Sequence, residues 1–313
     1  MEAKLRAGVV GVGHLGRHHA RLYATLPRTT LVGVVDADPA QAAAIAAQHG
    51  ARVFPTVEAL AAEVDALSVA TPTTFHEEVA LPLLEAGKSV LVEKPITTTV
   101  EAGRRLIEAA RKSGATLMVG HVERFNPAIA ALRERVRDPR FLEIHRLAPF
   151  TPRSLDVDVI LDLMIHDLDL CRVLLGPREV LHLDASGTPA LTDKIDIASV
   201  RIRFAGGAAA NVTASRISNE KIRRVRVFEP GRFLACDTGA GTLAYYYVVR
   251  EPGKPGEVRG ETVGLPPEEP LARELSAFAD AVLDGRPSPC SGEDGVAALE
   301  LALRVRDAVE AGV

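Results

Sequence analysis

Leu5-Arg6-Ala7-Gly8-Val9-Val10-Gly11-Val12-Gly13-His14-Leu15-Gly16 is an apolar run closed by glycines in the spacing G-x-G-x-x-G, and Asp36 follows twenty residues after the last of them. Such a string has physical content only between a strand and a helix. There the glycines permit a tight turn, close approach of a pyrophosphate and close helix packing. Residues 5–12 read as a buried strand, 18–26 as a short helix, and 30–35 as a second apolar strand ending at Asp36, so the context is met. An acid at that strand end accepts hydrogen bonds from the ribose hydroxyls of NAD and repels the 2′-phosphate of NADP. NAD is therefore the expected cofactor, with NADP disfavoured by Asp36. The competing reading is a chance glycine turn in some other α/β protein.

The same rhythm continues to about residue 121. Asp38-Pro39 pairs a capping residue with a helix-initiating proline ahead of an alanine-rich helix that runs to about residue 49. Short apolar strands at 52–54, 66–70, 89–92 and 116–119 alternate with helices at 75–86 and 100–112. Gly87 and Gly114 stop these helices. Alternation of this kind implies right-handed crossovers and a parallel sheet covered on both faces. Ligands of such sheets lie at the carboxyl ends of the strands, where Thr71-Pro72, Glu93-Lys94-Pro95 and His121 fall.

Beyond residue 122 the grammar changes. Helices at 127–137 and 159–175 frame a strand at 141–147, and then strands dominate: 180–183, 195–204, 208–217, 222–228 and 242–249. Gly206-Gly207 is a two-residue hairpin signal. Consecutive strands without intervening helices imply a mostly antiparallel sheet. The expected fold class is thus α/β plus α+β, with a Rossmann domain at 1–121 and a substrate-binding and oligomerisation domain at 122–313. Two late helices, 271–283 and 293–309, are expected to pack at the junction of the domains. The basic strand Lys221-Ile222-Arg223-Arg224-Val225-Arg226-Val227 reads first as a charged sheet edge protected from unwanted pairing, and second as a contact for an acidic ligand or another subunit.

Composition fits a soluble enzyme. The 313 residues carry 37 Lys+Arg against 41 Asp+Glu, a formal net charge of −4, so neither nucleic acid nor an anionic membrane is an expected partner. No segment reads as transmembrane, no apolar signal core precedes the first strand, and the cytoplasm is the expected location. Cys171, Cys236 and Cys290 are widely spaced and odd in number, which argues against a disulfide framework or a four-ligand zinc site.

A second chemical signal lies in Ile160-Leu161-Asp162-Leu163-Met164-Ile165-His166-Asp167-Leu168-Asp169. On a helix, Asp162, His166 and Asp169 fall within roughly 60° of one another at about 100° per residue, on an otherwise apolar surface. Buried unpaired charge is costly, so the stripe either pairs internally, lines a wet cleft or binds a ligand. Lys94 follows a core strand, at the end where ligands bind. There it would hydrogen-bond a substrate hydroxyl and stabilise developing alkoxide, or else form a solvated strand end held by Glu93.

Taken together, the glycine-rich turn, Ala70-Thr71-Pro72 with His76, Glu93-Lys94-Pro95 and Asp162-x-x-x-His166 resemble the Gfo/Idh/MocA oxidoreductases, which use NAD(P) on sugars and cyclitols. The resemblance spans essentially the whole chain. It implies Lys94 and His166 as the catalytic pair, with Asp162 binding substrate or orienting His166, and Gly11, Gly13, His14, Leu15, Gly16, Asp36, Thr71, Pro72, His76 and Glu93 around the dinucleotide. Thr73 departs from the asparagine that often follows Thr-Pro in the family, which puts that one cofactor contact in question. Three stretches, 13–21, 120–127 and 161–167, are similar to members that oxidise the 3-hydroxyl of UDP-N-acetylglucosamine; a free sugar or inositol is the alternative substrate. A diphosphate needs cations, and Arg124, Arg146 and Arg153 flank the proposed cleft in sequence, with His121 also assigned to substrate. A homodimer or homotetramer is implied by the family. Two rival classes are a metalloenzyme built on Asp162, His166 and His121 or His145, and a non-catalytic NAD-binding regulator. No metal is expected, because a metal site leaves the glycine turn and Asp36 unexplained.

Overall fold

The structure, a computed structural model, describes residues 3–151 and 157–312. Two compact units emerge: Met1–Val122 with Glu269–Leu299, and Glu123–Glu268 with Glu300–Val313.

In the first unit the chain runs β1 (Leu5–Val10), α1 (Gly16–Thr25), β2 (Thr29–Val35), α2 (Pro39–His49), β3 (Arg52–Val53), α3 (Val57–Ala61), β4 (Ala66–Val69), α4 (His76–Glu85), β5 (Ser89–Glu93), α5 (Val100–Ser113) and β6 (Leu117–Gly120). The strands form one parallel sheet in the order β3-β2-β1-β4-β5-β6. The first crossovers proceed outward from β1 on one side and the later ones on the other, so the order reverses between β1 and β4, where ligands of such sheets bind. Every residue of β4, β5 and β6 is buried, as expected of strands covered on both faces. Local signals set the helix ends: the Asp38 carboxylate accepts from the Ala40 and Gln41 N–H groups at the start of α2, and Gly50 closes it at φ +67°.

The second unit carries α6 (Pro127–Arg135), β7 (Phe141–Leu147), a π-helical turn (Ile160–Met164) running into α7 (Ile165–Leu175), then β8 (Val180–Thr188), β9 (Ile197–Phe204), β10 (Ala209–Ser215), β11 (Ile222–Glu229), β12 (Arg232–Asp237), β13 (Thr242–Val249) and β14 (Glu257–Gly264). These strands make an eight-stranded sheet, β14-β13-β12-β11-β7-β10-β9-β8, antiparallel except where β7 and β10 run parallel. Gly206 and Gly207, at φ +82° and +86°, form the β9–β10 hairpin foreseen for them. Period-two burial sends Ala198, Val200, Ile202 and Phe204 to one face. The opposite face carries a ladder of partly exposed rings, Phe141, Phe228, Phe233 and Tyr246, with successive centroids 5.5, 5.7 and 4.5 Å apart.

One expectation is corrected. β11 is no edge: it lies between β12 and β7, and its arginines meet acids on neighbouring elements, Arg226 with Glu143 at 3.1 Å and Arg223 with Glu123 at 3.4 Å. After β14 the chain forms α8 (Pro270–Asp284) and α9 (Gly292–Ala311), and residues 269–299 group with the first unit. The physical reason is apolar closure of the parallel sheet. Leu275, Phe278 and Ala279 of α8 are fully buried, Arg28 pairs with Asp280 and Asp284, and Arg21 pairs with Glu269. The Val119 N–H donates to the Cys290 carbonyl at 2.9 Å, and a Cβ on Gly295 of α9 would stand 2.5 Å from a Val119 methyl.

Candidate active site

At the carboxyl end of β1, each glycine of the fingerprint has its own reason. Gly11 sits at φ +81°, and a Cβ there would come within 2.9 Å of the Ala70 carbonyl and the Thr71 nitrogen. A Cβ on Gly16 would lie 1.8 Å from the Gly11 carbonyl oxygen. Gly13 differs: nothing of the protein comes closer to its Cβ position than Gln41 Nε2 at 3.9 Å. Packing does not demand glycine there, so the empty space suits a ligand brought close to the backbone. Leu15 caps α1 without a side-chain hydrogen bond, and no acid occupies the first turn, which leaves the positive end of the helix dipole to an anion. His14 and Leu15 are exposed at this turn. Asp36 closes the cradle. Its carboxylate accepts from the Val12 N–H at 2.6 Å, the Asp38 N–H at 2.9 Å and the Gln41 side-chain amide at 3.3 Å, so the acid is aimed by three donors before any ribose arrives. The residues present fit a dinucleotide.

Beside this cradle stand the ends of β4 and β5. Thr71 is half-buried and Pro72 exposed. His76 braces two loops: Nδ1 faces the Pro95 carbonyl at 2.8 Å and Nε2 the Thr71 carbonyl at 3.0 Å. Burial pushes its pKa down against the pull of those carbonyls, so the neutral ring donates to one of them. Glu93 is the last residue of β5. Its carboxylate is 6 % exposed and is taken up by His19 Nε2 at 2.9 Å and the Lys94 N–H at 3.3 Å. Lys94 is the first partly exposed residue after wholly buried β5, and it begins a cis Lys94–Pro95 bond. His121 follows β6 and is buried, its N–H donating to the Val119 carbonyl.

Within the second unit, Asp162 lies in the π-helical turn and His166 in the first turn of α7, 6 % and 9 % exposed. π-turns are rare and concentrate at functional sites. The turn is anchored from its start, because the Asp158 carboxylate accepts from the Ile160 and Leu161 N–H groups at 2.8 and 3.0 Å. Arg216 binds the Val157 carbonyl and Asp196, fixing the approach to it. Asp169, read from sequence as part of one stripe with Asp162 and His166, is engaged elsewhere: Arg124 grips it with two hydrogen bonds of 2.7 and 2.6 Å. Arg124 thus holds a buried carboxylate, with 12 % of its own side chain exposed. Arg146 is likewise enclosed, bonded to Asp167 at 2.7 Å and to Glu123 at 2.7 Å. Arg153 lies outside the described residues. Among the described residues, no group of three or more His, Cys, Asp and Glu side chains is arranged to hold a metal ion.

Sequence reasoning missed His19, Ser68, Gln41, Glu123 and Asp167. Only Gln41, one helical turn past the Asp38 cap, carried a local signal.

Residues 5–121 match the Gfo/Idh/MocA oxidoreductase family, NAD-binding Rossmann fold, and residues 130–229 match the Gfo/Idh/MocA C-terminal domain. UDP-N-acetylglucosamine 3-dehydrogenase of Acidithiobacillus ferrooxidans is 46 % identical over 310 residues, 98 % of each chain. The chain belongs to the Gfo/Idh/MocA oxidoreductase family. The solved structure of that Acidithiobacillus enzyme superposes with a TM-score of 0.92 at 44 % identity over 99 % of both chains. A second relative, inositol 2-dehydrogenase of Rhizobium meliloti, is 31 % identical over 95 % of this chain and 94 % of its own. Membership accounts for both sheets seen here, and it makes the protein an NAD(P)-binding oxidoreductase. Among the described residues, no helix of this family member is long and apolar enough to cross a membrane.

Proposed function

We propose that the protein is an NAD-dependent dehydrogenase that oxidises the 3-hydroxyl of UDP-N-acetylglucosamine to a ketone. The observation that carries this reading is 46 % identity to an enzyme of that name across 98 % of each chain. The Rhizobium relative supports a second reading, oxidation of a free cyclitol or sugar.

Gly11, Gly13, Leu15 and Gly16 would hold the pyrophosphate, and Asp36 the adenosine ribose; its charge favours NAD over NADP. When bound, the nicotinamide supplies the hydride acceptor. Lys94 hydrogen-bonds the substrate hydroxyl and stabilises the charge that develops on its oxygen. His166 accepts the hydroxyl proton, and Asp162 orients His166 or binds the sugar. With Arg124 and Arg146 committed to carboxylates, Arg153 is the remaining assignment for the diphosphate, and His121 for the sugar. The stacked face of the eight-stranded sheet supports assembly with further copies of the chain, and three buried free cysteines fit a reducing cytoplasm.

The test is NADH formation by the purified protein with UDP-N-acetylglucosamine, free sugars and inositol offered separately, beside Lys94→Ala and His166→Ala. Turnover confined to the nucleotide sugar and lost in both variants is expected. Turnover of inositol or free sugars alone discards the nucleotide, and tight NAD binding with no turnover favours a non-catalytic role.

A further inference from the structure

We propose that His19 and Glu93 are positioning residues for Lys94: a hydrogen-bonded chain rooted in α1 and β4 ends on the Lys94 main chain and fixes the direction in which its side chain leaves β5. This inference rests on the reading of Lys94 as the lysine of the reaction.

Four side chains make the chain. Tyr23 Oη lies 2.8 Å from Ser68 Oγ, Ser68 Oγ lies 3.0 Å from His19 Nδ1, His19 Nε2 lies 2.9 Å from Glu93 Oε1, and Glu93 Oε2 accepts from the Lys94 N–H at 3.3 Å. The Nε2–H tautomer of His19 closes it with every donor facing an acceptor. Tyr23 donates to Ser68, Ser68 to Nδ1, and Nε2–H to the carboxylate. Tyr23, Ser68 and His19 are wholly buried and Glu93 nearly so, in a region where an unmet polar group is expensive.

The space around Glu93 is shaped for it. A Cβ on Gly120, the neighbour of Glu93 across the β5–β6 pair, would lie 2.9 Å from Glu93 Oε2. On the far side of Lys94, His76 faces the Pro95 carbonyl, so the lysine is held on both flanks. Glu274 of α8, also completely buried, has neither carboxyl oxygen within hydrogen-bond reach of a partner among the described residues. Burial and the charge of Glu93 push its pKa well above the ordinary carboxyl range. Glu274 is thus the neutral acid, and Glu93 the charged one that His19 and Lys94 address.

A network of this kind could instead serve only to hold the core together, and the two roles separate in kinetics. His19→Leu removes both links of the imidazole. His19→Gln restores one acceptor and one donor. Glu93→Gln can remake every link by turning its oxygen to Lys94 and its nitrogen to an Nδ1–H tautomer of His19, whereas Glu93→Met keeps the length of the side chain and offers neither His19 nor Lys94 an acceptor. For each variant, thermal unfolding, the NAD dissociation constant and steady-state turnover are measured. Misplacing a reacting group by about 1 Å costs about 100-fold in rate. His19→Leu and Glu93→Met are therefore expected to lose turnover on that order while binding NAD as the parent does, with His19→Gln and Glu93→Gln recovering most of the loss. Full turnover in Glu93→Met, or NAD affinity and turnover falling by the same factor, overturns the proposal. If His19→Leu does not fold, Glu93→Met decides alone. Lys94→Ala separates the two readings. Full activity there removes Lys94 from the chemistry and this proposal with it, whereas an inactive Lys94→Ala beside a fully active Glu93→Met overturns the positioning role only.

Discussion

Glu93 and Glu274 are both buried carboxyl groups, yet donors meet only one of them. An acid whose folded-state pKa is raised binds more protons folded than unfolded. Its contribution to stability is complete below the unfolded value and is lost as pH rises through the folded one. Glu274 is such an acid. Glu274→Gln keeps the volume and removes the ionisation, so from about pH 4.5 to neutrality the variant should lose less stability than the parent. Denaturation at both pH values checks this, and identical pH dependence would remove Glu274 as the source. Asp36 governs the other end of the site. Asp36→Ala should weaken NAD and narrow its advantage over NADP, measured as two dissociation constants; an unchanged ratio takes Asp36 off the ribose. The place of Asp36 directly after β2 was legible in sequence because it depends on a local spacing to the glycines. What occupies the polar atoms of Glu93, Arg124 and His76 was not, because it comes from residues distant in the chain or from main-chain carbonyls no motif records.

Elements show the same division between near and far. β1, α1 and β2, the Gly206-Gly207 hairpin and the Asp38 cap are set by residues a few positions apart, and they stand where the sequence placed them. α3 was missed because it spans only Val57–Ala61, and β14 because all eight of its residues are exposed. The interior place of β11 could not be read locally, since strand order is decided by pairings with β7 and β12. The π-turn at Ile160–Met164 breaks the 3.6-residue period on which the single Asp162–His166–Asp169 stripe rested. Behind α7, Arg146 of β7 is bonded to both Asp167 and Glu123 with about 5 % of its side chain exposed. Removing the cation takes from Asp167 the guanidinium that pairs with it and leaves Glu123 the longer 3.4 Å contact with Arg223. Arg146→Met should destabilise the protein by roughly 3–5 kcal/mol in urea denaturation. A loss no larger than that of a surface substitution, about 0.5 kcal/mol, contradicts the pairing's importance.

For the whole molecule, the stacked rings on the eight-stranded sheet give the assembly proposal a direct handle. Phe233 stacks on Tyr246 at 4.5 Å and on Phe228 at 5.7 Å. Phe233→Glu places a charge among these rings and should shift the protein toward monomer in light scattering, with an unchanged mass assigning contacts to another surface. The first unit has a consequence for how the protein is made. Its parallel sheet is written in the opening 122 residues, but α8 and the segment that pairs with β6 are encoded after residue 268. During synthesis the first unit is expected to stay incomplete until residues 269–299 have followed the opening segment off the ribosome. A fragment ending at Val122 should therefore melt without cooperativity, while the same fragment fused through a flexible linker to residues 269–299 should regain a sharp transition. Gene truncations and split-protein designs that treat residues 1–122 as a self-sufficient module would cut away the piece that completes it.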